Sequence, residues 1–272
     1  MTATYKQRFE LVSTPFPKDA HDKTFFCGRN GYDRLARAFQ MLLEEPGLGL
    51  LTADPGVGKT AAMRNLTQAL PRPQYRVVYV CDTSIGPLDA YRALALELGL
   101  EPAFRRAALW RQLKDRILQM VDERAEHPIL VIDEAQHLPD RFLADFSGFL
   151  NFAFDSRDLF TTWFVGQPQI RARLRKQHYA ALRTRIVASV HLEPLSSRED
   201  FAAFLEHGLQ AAGVKGSIVS DSARELLFRA SGGLPREIGK LLRKALRRAS
   251  EAQQSFIDDE VMEAVVAEEE EI

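Results

Sequence analysis

Gly49-Leu50-Leu51-Thr52-Ala53-Asp54-Pro55-Gly56-Val57-Gly58-Lys59-Thr60-Ala61 runs from a short apolar stretch, through a glycine-bearing loop, into a helical pattern that starts at Lys59. Backbone N–H groups of such a loop converge on phosphates, assisted by the positive end of the helix that follows. The Lys59 ammonium is placed to reach the outer phosphates, and the Thr60 hydroxyl is a hard oxygen ligand suited to Mg²⁺. Ala53 stands where the pattern usually has its first glycine, but that position ends the strand and lies outside the phosphate cradle. Asp54, Pro55, Gly56, Val57, Gly58, Lys59, Thr60 and Ala61 therefore form a candidate cradle for ATP with Mg²⁺. The competing reading is a plain glycine turn before a helix.

A second stretch weighs against that plain reading. Ile129-Leu130-Val131-Ile132 is an apolar strand that ends in two acids, Asp133 and Glu134. Adjacent carboxylates repel each other unless cations stand opposite, which Lys59 and a divalent metal would supply. Asp133 at a strand tip is suited to the Mg²⁺ shell, and Glu134 to polarising a water for attack on the terminal phosphate.

Around these two stretches, short apolar runs alternate with longer helical patterns, the signature of a parallel sheet covered on both faces. Strands are expected at Gly49 to Ala53, Val77 to Cys81, Ile129 to Ile132, Thr162 to Val165 and Val187 to Leu192, all short enough to be buried centrally. Helices are expected at Lys59 to Leu70, Pro87 to Leu98, Arg106 to Arg124, Pro139 to Phe152 and Gln169 to Arg175. After Glu193-Pro194-Leu195 the strands cease. Ser196 followed by Glu199 reads as a capping box, Gly213 as a helix stop, Ser220 or Asp221 as the next cap, and Pro235 as a first helical residue. The expected fold is α/β: a P-loop core with a five-stranded parallel sheet over residues 1–194, including an N-terminal extension. An all-α lid follows at 195–267, then an acidic tail at 268–272.

The 272 residues carry 36 Lys and Arg against 37 Asp and Glu, a net charge of −1. That balance hides a separation, because eight of the acids follow Ile257 and residues 1–257 carry 36 basic and 29 acidic side chains. Two cysteines, Cys27 and Cys81, are too few for a disulfide framework or a Cys-rich zinc site. No run approaches the roughly 20 apolar residues that span a bilayer, and the N-terminus lacks a signal-peptide core. A cytoplasmic protein without a membrane anchor is expected.

Taken together, these motifs resemble the AAA+ ATPases over nearly the whole chain. Thr162-Trp163-Phe164-Val165-Gly166-Gln167 resembles the fourth strand with its polar sensor 1 residue, which makes Gln167 a contact to the terminal phosphate or the attacking water; alone, it reads as a polar residue in a turn before Pro168. Gly232-Gly233-Leu234-Pro235-Arg236 resembles the sensor 2 motif, with Arg236 reaching the nucleotide from a lid helix. Leu182-Arg183-Thr184-Arg185 lies where related ATPases carry the arginine finger that enters the next subunit's site, so the resemblance implies Arg185, or else Arg183, in that role. Either is otherwise a surface charge. The nearer resemblance is to the ExeA-like and TniB/TnsC/MuB-like branch. It rests on Phe9 to Phe16, Gly86 to Arg92, Asp133-Glu134-Ala135-Gln136-His137-Leu138, Asp155-Ser156, Gly166-Gln167-Pro168 and Leu192 to Leu195. Glu10 replaces the glycine usual in the opening motif.

That branch includes membrane-linked secretion accessories and target-DNA regulators of transposition. A secretion protein of that type would continue into a transmembrane helix, and this chain stops after the lid, so the second role is expected. On this reading the ATPase assembles on duplex DNA without sequence preference, as a ring or helical filament, and recruits a DDE-type transposase, with a target-selection protein as a further partner. Lys and Arg cluster at Arg105 to Arg116, at Arg171 to Lys176 and at Lys240 to Arg248, where Lys240, Arg243, Lys244, Arg247 and Arg248 share one helical face suited to phosphates or to an acidic surface. By the same resemblance Thr83, Ser84, Arg105 and Arg106 are the DNA-contact candidates. The alternative is an ATPase acting on protein assembly without DNA. His137 has no second His or Cys at ligand spacing and reads as a polar residue past the strand.

Overall fold

The computed structural model describes residues 4–20, 24–28, 31–81 and 86–270. In chain order its elements are α1 (Tyr5–Arg8), α2 (Tyr32–Glu44), β1 (Leu48–Thr52), α3 (Lys59–Gln68), β2 (Tyr75–Val80), α4 (Pro87–Glu97), α5 (Arg106–Arg124), β3 (His127–Ile132), α6 (Asp140–Phe149), β4 (Thr161–Gly166), α7 (Gln169–Leu174), α8 (Ala180–Arg183), β5 (Ile186–His191), α9 (Arg198–Ala211), α10 (Asp221–Ser231), α11 (Pro235–Glu251) and α12 (Asp259–Glu270). All five expected strands form, each within two residues of its expected ends. The chain divides into two compact units, one holding residues 33–54 and 66–192, the other residues 1–32, 55–65 and 193–272.

The first unit holds the sheet, all parallel, in the order β2-β3-β4-β1-β5. The three interior strands are apolar almost without a break because both their faces are covered. β2 and β5 are edge strands with exposed residues along them, so the expectation that all five are central is corrected for these two. Gly49 on β1 faces Trp163 on β4, and a Cβ at Gly49 would come within 2.6 Å of the indole, so the buried Trp163 requires the glycine. Helices α4, α5 and α6 bury Leu94, Leu113, Ile117, Phe142 and Phe146 in one core with Leu130 and Phe164. Parallel pairing brings every strand's C-terminal end to one edge of the sheet, the edge where ligands bind in open α/β sheets.

The second unit is built on α9, α10, α11 and α12. Ser197, rather than Ser196, caps α9 by accepting the Asp200 N–H at 3.0 Å. Ser220 caps α10, and Pro235 opens α11 at its first turn. The N-terminal extension, expected with the sheet, is part of this unit. Phe9 and Leu11 are buried with Leu205, Leu209, Leu242 and Leu246. Phe16 stacks on Phe204 and lies so close to Gly208 that a Cβ there would come within 2.1 Å of its ring. This packing accounts for the Phe9 to Phe16 motif. Glu10 has φ +52, a conformation glycine adopts at no steric cost. The acidic tail is likewise no separate segment as far as Glu269, because α12 continues through it.

Candidate functional site

The loop after β1 has the backbone its glycines require. Gly56 has φ +88 and Gly58 has φ +108, and α3 starts at Lys59, so the first turn of a helix opens directly from the loop. Helix first turns present N–H groups without intrahelical acceptors. Lys59 is buried and Asp54 exposed. Within the same unit, the start of α11 lies on this loop: the Arg236 N–H donates to the Gly56 carbonyl at 3.2 Å, and a Cβ on Gly56 would meet the Arg236 Cβ at 3.4 Å. Pro235 fixes that helix start, and the Gly232-Gly233 turn before it folds tightly onto Leu195, whose N–H donates to the Gly233 carbonyl at 2.9 Å. The structure thus brings the expected sensor 2 arginine to the phosphate loop.

In the sheet unit, Asp133 and Glu134 follow β3 and Gln167 follows β4, its neighbour. Asp133 is 3% exposed. Its two oxygens accept from the Tyr79 hydroxyl and from the Glu134 N–H, both at 2.9 Å. Glu134 has φ +51, which turns the chain sharply off the strand. The Gln136 side chain joins the two strand tips. Its Nε2 donates to Glu134 Oε2 at 2.6 Å, and its Oε1 accepts the Gln167 N–H at 3.0 Å. Arg173 on α7 holds the backbone beneath, donating to the Gln136 and Leu138 carbonyls at 2.6 and 2.8 Å. Arg173 also pairs with Asp140, whose carboxyl is held below its usual range first by the Tyr179 hydroxyl and then by Arg173.

Tyr79 and Gln136 were not legible as site residues, because their roles come from strand adjacency and from a turn. Taken unit by unit, the loop N–H groups and the Thr60 hydroxyl are donors of the type that phosphates and Mg²⁺ take, and the Asp133 carboxylate is a hard oxygen ligand of the type that Mg²⁺ takes. Among the described residues no three His, Cys, Asp or Glu side chains cluster as a metal cage, and Mg²⁺ held largely by phosphates and water does not need one. His137 is exposed and in no such cluster.

The arginine candidates of the fifth-strand approach are both engaged. Arg185 pairs with Asp155, and Arg183 donates to the Arg175 carbonyl at 2.9 Å. Asp155 belongs to a turn in which Ala153, Phe154 and Asp155 all have positive φ. Of the DNA-contact candidates, Thr83 and Ser84 lie outside the described residues. Arg105 is exposed, whereas Arg106 pairs with Asp145 at 2.8 Å and lies over the Trp110 ring. Lys114 donates to the Asn151 carbonyl at 2.6 Å and Arg116 to the Leu98 carbonyl at 3.3 Å. The stripe on α11 is occupied as well. Lys240 and Lys244 pair with Glu269, Arg248 with Glu268, Arg243 donates to the Pro15 and Phe16 carbonyls, and Arg247 lies over Tyr5.

Comparison with known proteins agrees with this geometry. A family model described as an AAA domain matches residues 42–174. The chain is 31% identical over 245 residues to general secretion pathway protein A of Aeromonas hydrophila, covering 89% of this chain and 44% of the relative, less than half its length. Among solved structures, the Aeropyrum pernix ORC2 protein in its ADPNP-ADP complexes superposes with a TM-score of 0.70 at 15% identity, over 93% of this chain and 71% of that one. The Thermotoga maritima RuvB Holliday junction branch migration motor gives 0.59 at 15% identity, over 88% and 69%. The β2-β3-β4-β1-β5 sheet and the helical unit that follows it in the chain have the AAA+ P-loop fold, within which residues 42–174 match the AAA-domain model.

Proposed function

We propose that the chain binds and hydrolyses ATP and uses the cycle to drive a protein-assembly step, as a module like the one in general secretion pathway protein A. The observation that carries this reading is the 31% identity over 245 residues, a span that takes in both the phosphate loop and Arg236. On this reading Lys59 and the loop N–H groups bind the phosphates and Arg236 contacts them from the lid. Glu134 accepts the proton of the attacking water and Gln167 orients that water. Mg²⁺, when bound, neutralises charge on the phosphate oxygens, and Thr60 and Asp133 are the residues that would hold it. Arg185, or Arg183, acts in a neighbouring copy of the chain, so that turnover depends on assembly.

A DNA-bound regulator of transposition, recruiting a transposase on a duplex, is the second reading. The exposed Phe104 and Arg105 at the start of α5 support it. The engaged state of Arg106, Lys114, Arg116 and the α11 stripe favours the first, since counterion release needs cations available to phosphates.

Phosphate release from ATP, measured with and without duplex DNA, separates the readings. The expected result is turnover that DNA does not stimulate, abolished in Lys59→Ala through lost ATP binding, and reduced on the order of 100-fold in Glu134→Gln with binding retained. Turnover that rises severalfold with DNA selects the second reading. A wild-type chain that binds no ATP sinks both.

A further inference from the structure

The geometry points to Gln136 as a positioning residue for hydrolysis, one that ties the Glu134 carboxylate to the tip of the fourth strand; this rests on the ATPase reading above. A primary amide has one donating and one accepting end, and here each end is committed. The donating end holds Glu134 Oε2 at 2.6 Å, and the accepting end takes the Gln167 N–H at 3.0 Å. A hydrogen bond to a carboxylate is about twice as strong as a neutral one, so the amide restricts where that carboxylate points. The amide's own foundation is fixed by Arg173, which donates to the Gln136 carbonyl at 2.6 Å.

The fit at the other end is equally tight. A Cβ on Gly166 would stand 2.7 Å from Gln136 Oε1 and 3.3 Å from the backbone nitrogens of Ala135 and Gln136. Glycine at the end of β4 is thus what lets the amide lie across the strand tips. Glu134 leaves its strand with φ +51, so its backbone alone does not aim the carboxylate along the strand direction. The bridge restricts the orientation of the water-activating group. Movement of the Gln167 segment, as it meets or loses the terminal phosphate, is passed through Gln136 to Glu134. Misplacing a catalytic group by about 1 Å costs up to about 100-fold in rate, the scale on which such a bridge acts.

The test is a double-mutant cycle of Gln136→Ala and Glu134→Gln, read as kcat, KM, fluorescent-ATP affinity and thermal midpoint, with Gly166→Ala as a second variant that displaces the amide without removing it. Gln136→Ala is expected to lower kcat about tenfold with ATP affinity within twofold of wild type and the midpoint unchanged. In the Glu134→Gln background the same substitution is expected to have a smaller effect, because the donating end of Gln136 acts through that carboxylate while its accepting end still holds the Gln167 N–H. Gly166→Ala is expected to lower kcat in the same direction, and this loss too is expected to shrink in the Glu134→Gln background. Unchanged kcat in Gln136→Ala overturns the assignment, as does an equal loss in both backgrounds. Wild-type protein that binds ATP yet releases no phosphate removes the ATPase reading itself, and this inference with it.

Discussion

At the residue scale, the phosphate loop requires positive φ at two glycines. Gly58 has φ +108 with nothing within 4 Å of a Cβ, and Gly56 has φ +88 with the Arg236 Cβ at 3.4 Å. Gly58→Ala is expected to cost only backbone strain, about 1 to 2 kcal/mol in urea unfolding. Gly56→Ala brings its Cβ only into ordinary contact with Arg236, so the two variants are expected to lose ATP affinity to a similar extent, read by titration of a fluorescent analogue; unchanged affinity in both would remove the proposed role of the loop backbone. Arg185 offers a second prediction. Its pairing with Asp155 holds it within its own chain. If it acts in trans, Asp155→Ala raises turnover at fixed protein concentration, and Arg185→Ala lowers it at least about tenfold and flattens its dependence on concentration. A concentration dependence unaltered by Arg185→Ala assigns the trans role elsewhere. Lys59, Thr60, Asp133 and Glu134 were legible as residues because motif spacing names them. Gln136 lay inside a quoted motif without a role, since nothing in a linear sequence says that its amide reaches the next strand.

At the scale of elements, helix and strand periodicity was nearly enough. α5 ends where its four-residue apolar steps and Arg106 to Arg124 limits placed it. α2 was passed over although Leu35, Phe39 and Leu42 are buried on one face at helical spacing. The missed cap at Ser197 is a one-residue ambiguity between adjacent serines that only backbone geometry resolves; Ser197→Ala is expected to cost about 1 kcal/mol in denaturant unfolding, and Ser196→Ala far less. Between α9 and α10, Glu225 receives a two-point contact from Arg198 and a third bond from Arg229, which hold its carboxyl down to about 2 from the usual 4.5. A carboxyl depressed in the fold stabilises it above the unfolded pKa, and the contribution is lost as pH falls through the folded value. Glu225→Gln is therefore expected to lower the thermal midpoint at pH 7, with the difference from wild type shrinking between about pH 4.5 and pH 2. The carboxylate is 30% exposed and its partner Arg198 71% exposed, so the effect is expected to be modest and reduced by salt. A difference independent of pH would refute the pairing as its source.

At the scale of the whole molecule, the separation of charge along the chain is resolved by tertiary contact. Six of the eight acids after Ile257 are carried on α12 beside the basic face of α11, where Glu268 and Glu269 meet Lys240, Lys244 and Arg248. Replacing both glutamates with Gln is expected to lower the stability of the helical unit by up to about 1 kcal/mol at low salt, with little effect in 0.5 M NaCl, as urea unfolding at the two salt concentrations would show. If affinity for duplex DNA also rises in the double variant, the stripe is a phosphate surface masked by its own chain. Among the described residues no helix is long and apolar enough to cross a membrane. The sequence by itself determined the α/β class, the five strands, the phosphate loop and the acid pair, because each depends on local spacing and on apolar periodicity that the backbone enforces. The tertiary structure alone decided that the N-terminal segment is buried with the lid helices, that most of the basic residues are already partnered, and that Gln136 joins Glu134 to Gln167. Those outcomes depend on which surfaces meet and on the sheet order β2-β3-β4-β1-β5, which brings segments far apart in the chain within hydrogen-bonding distance.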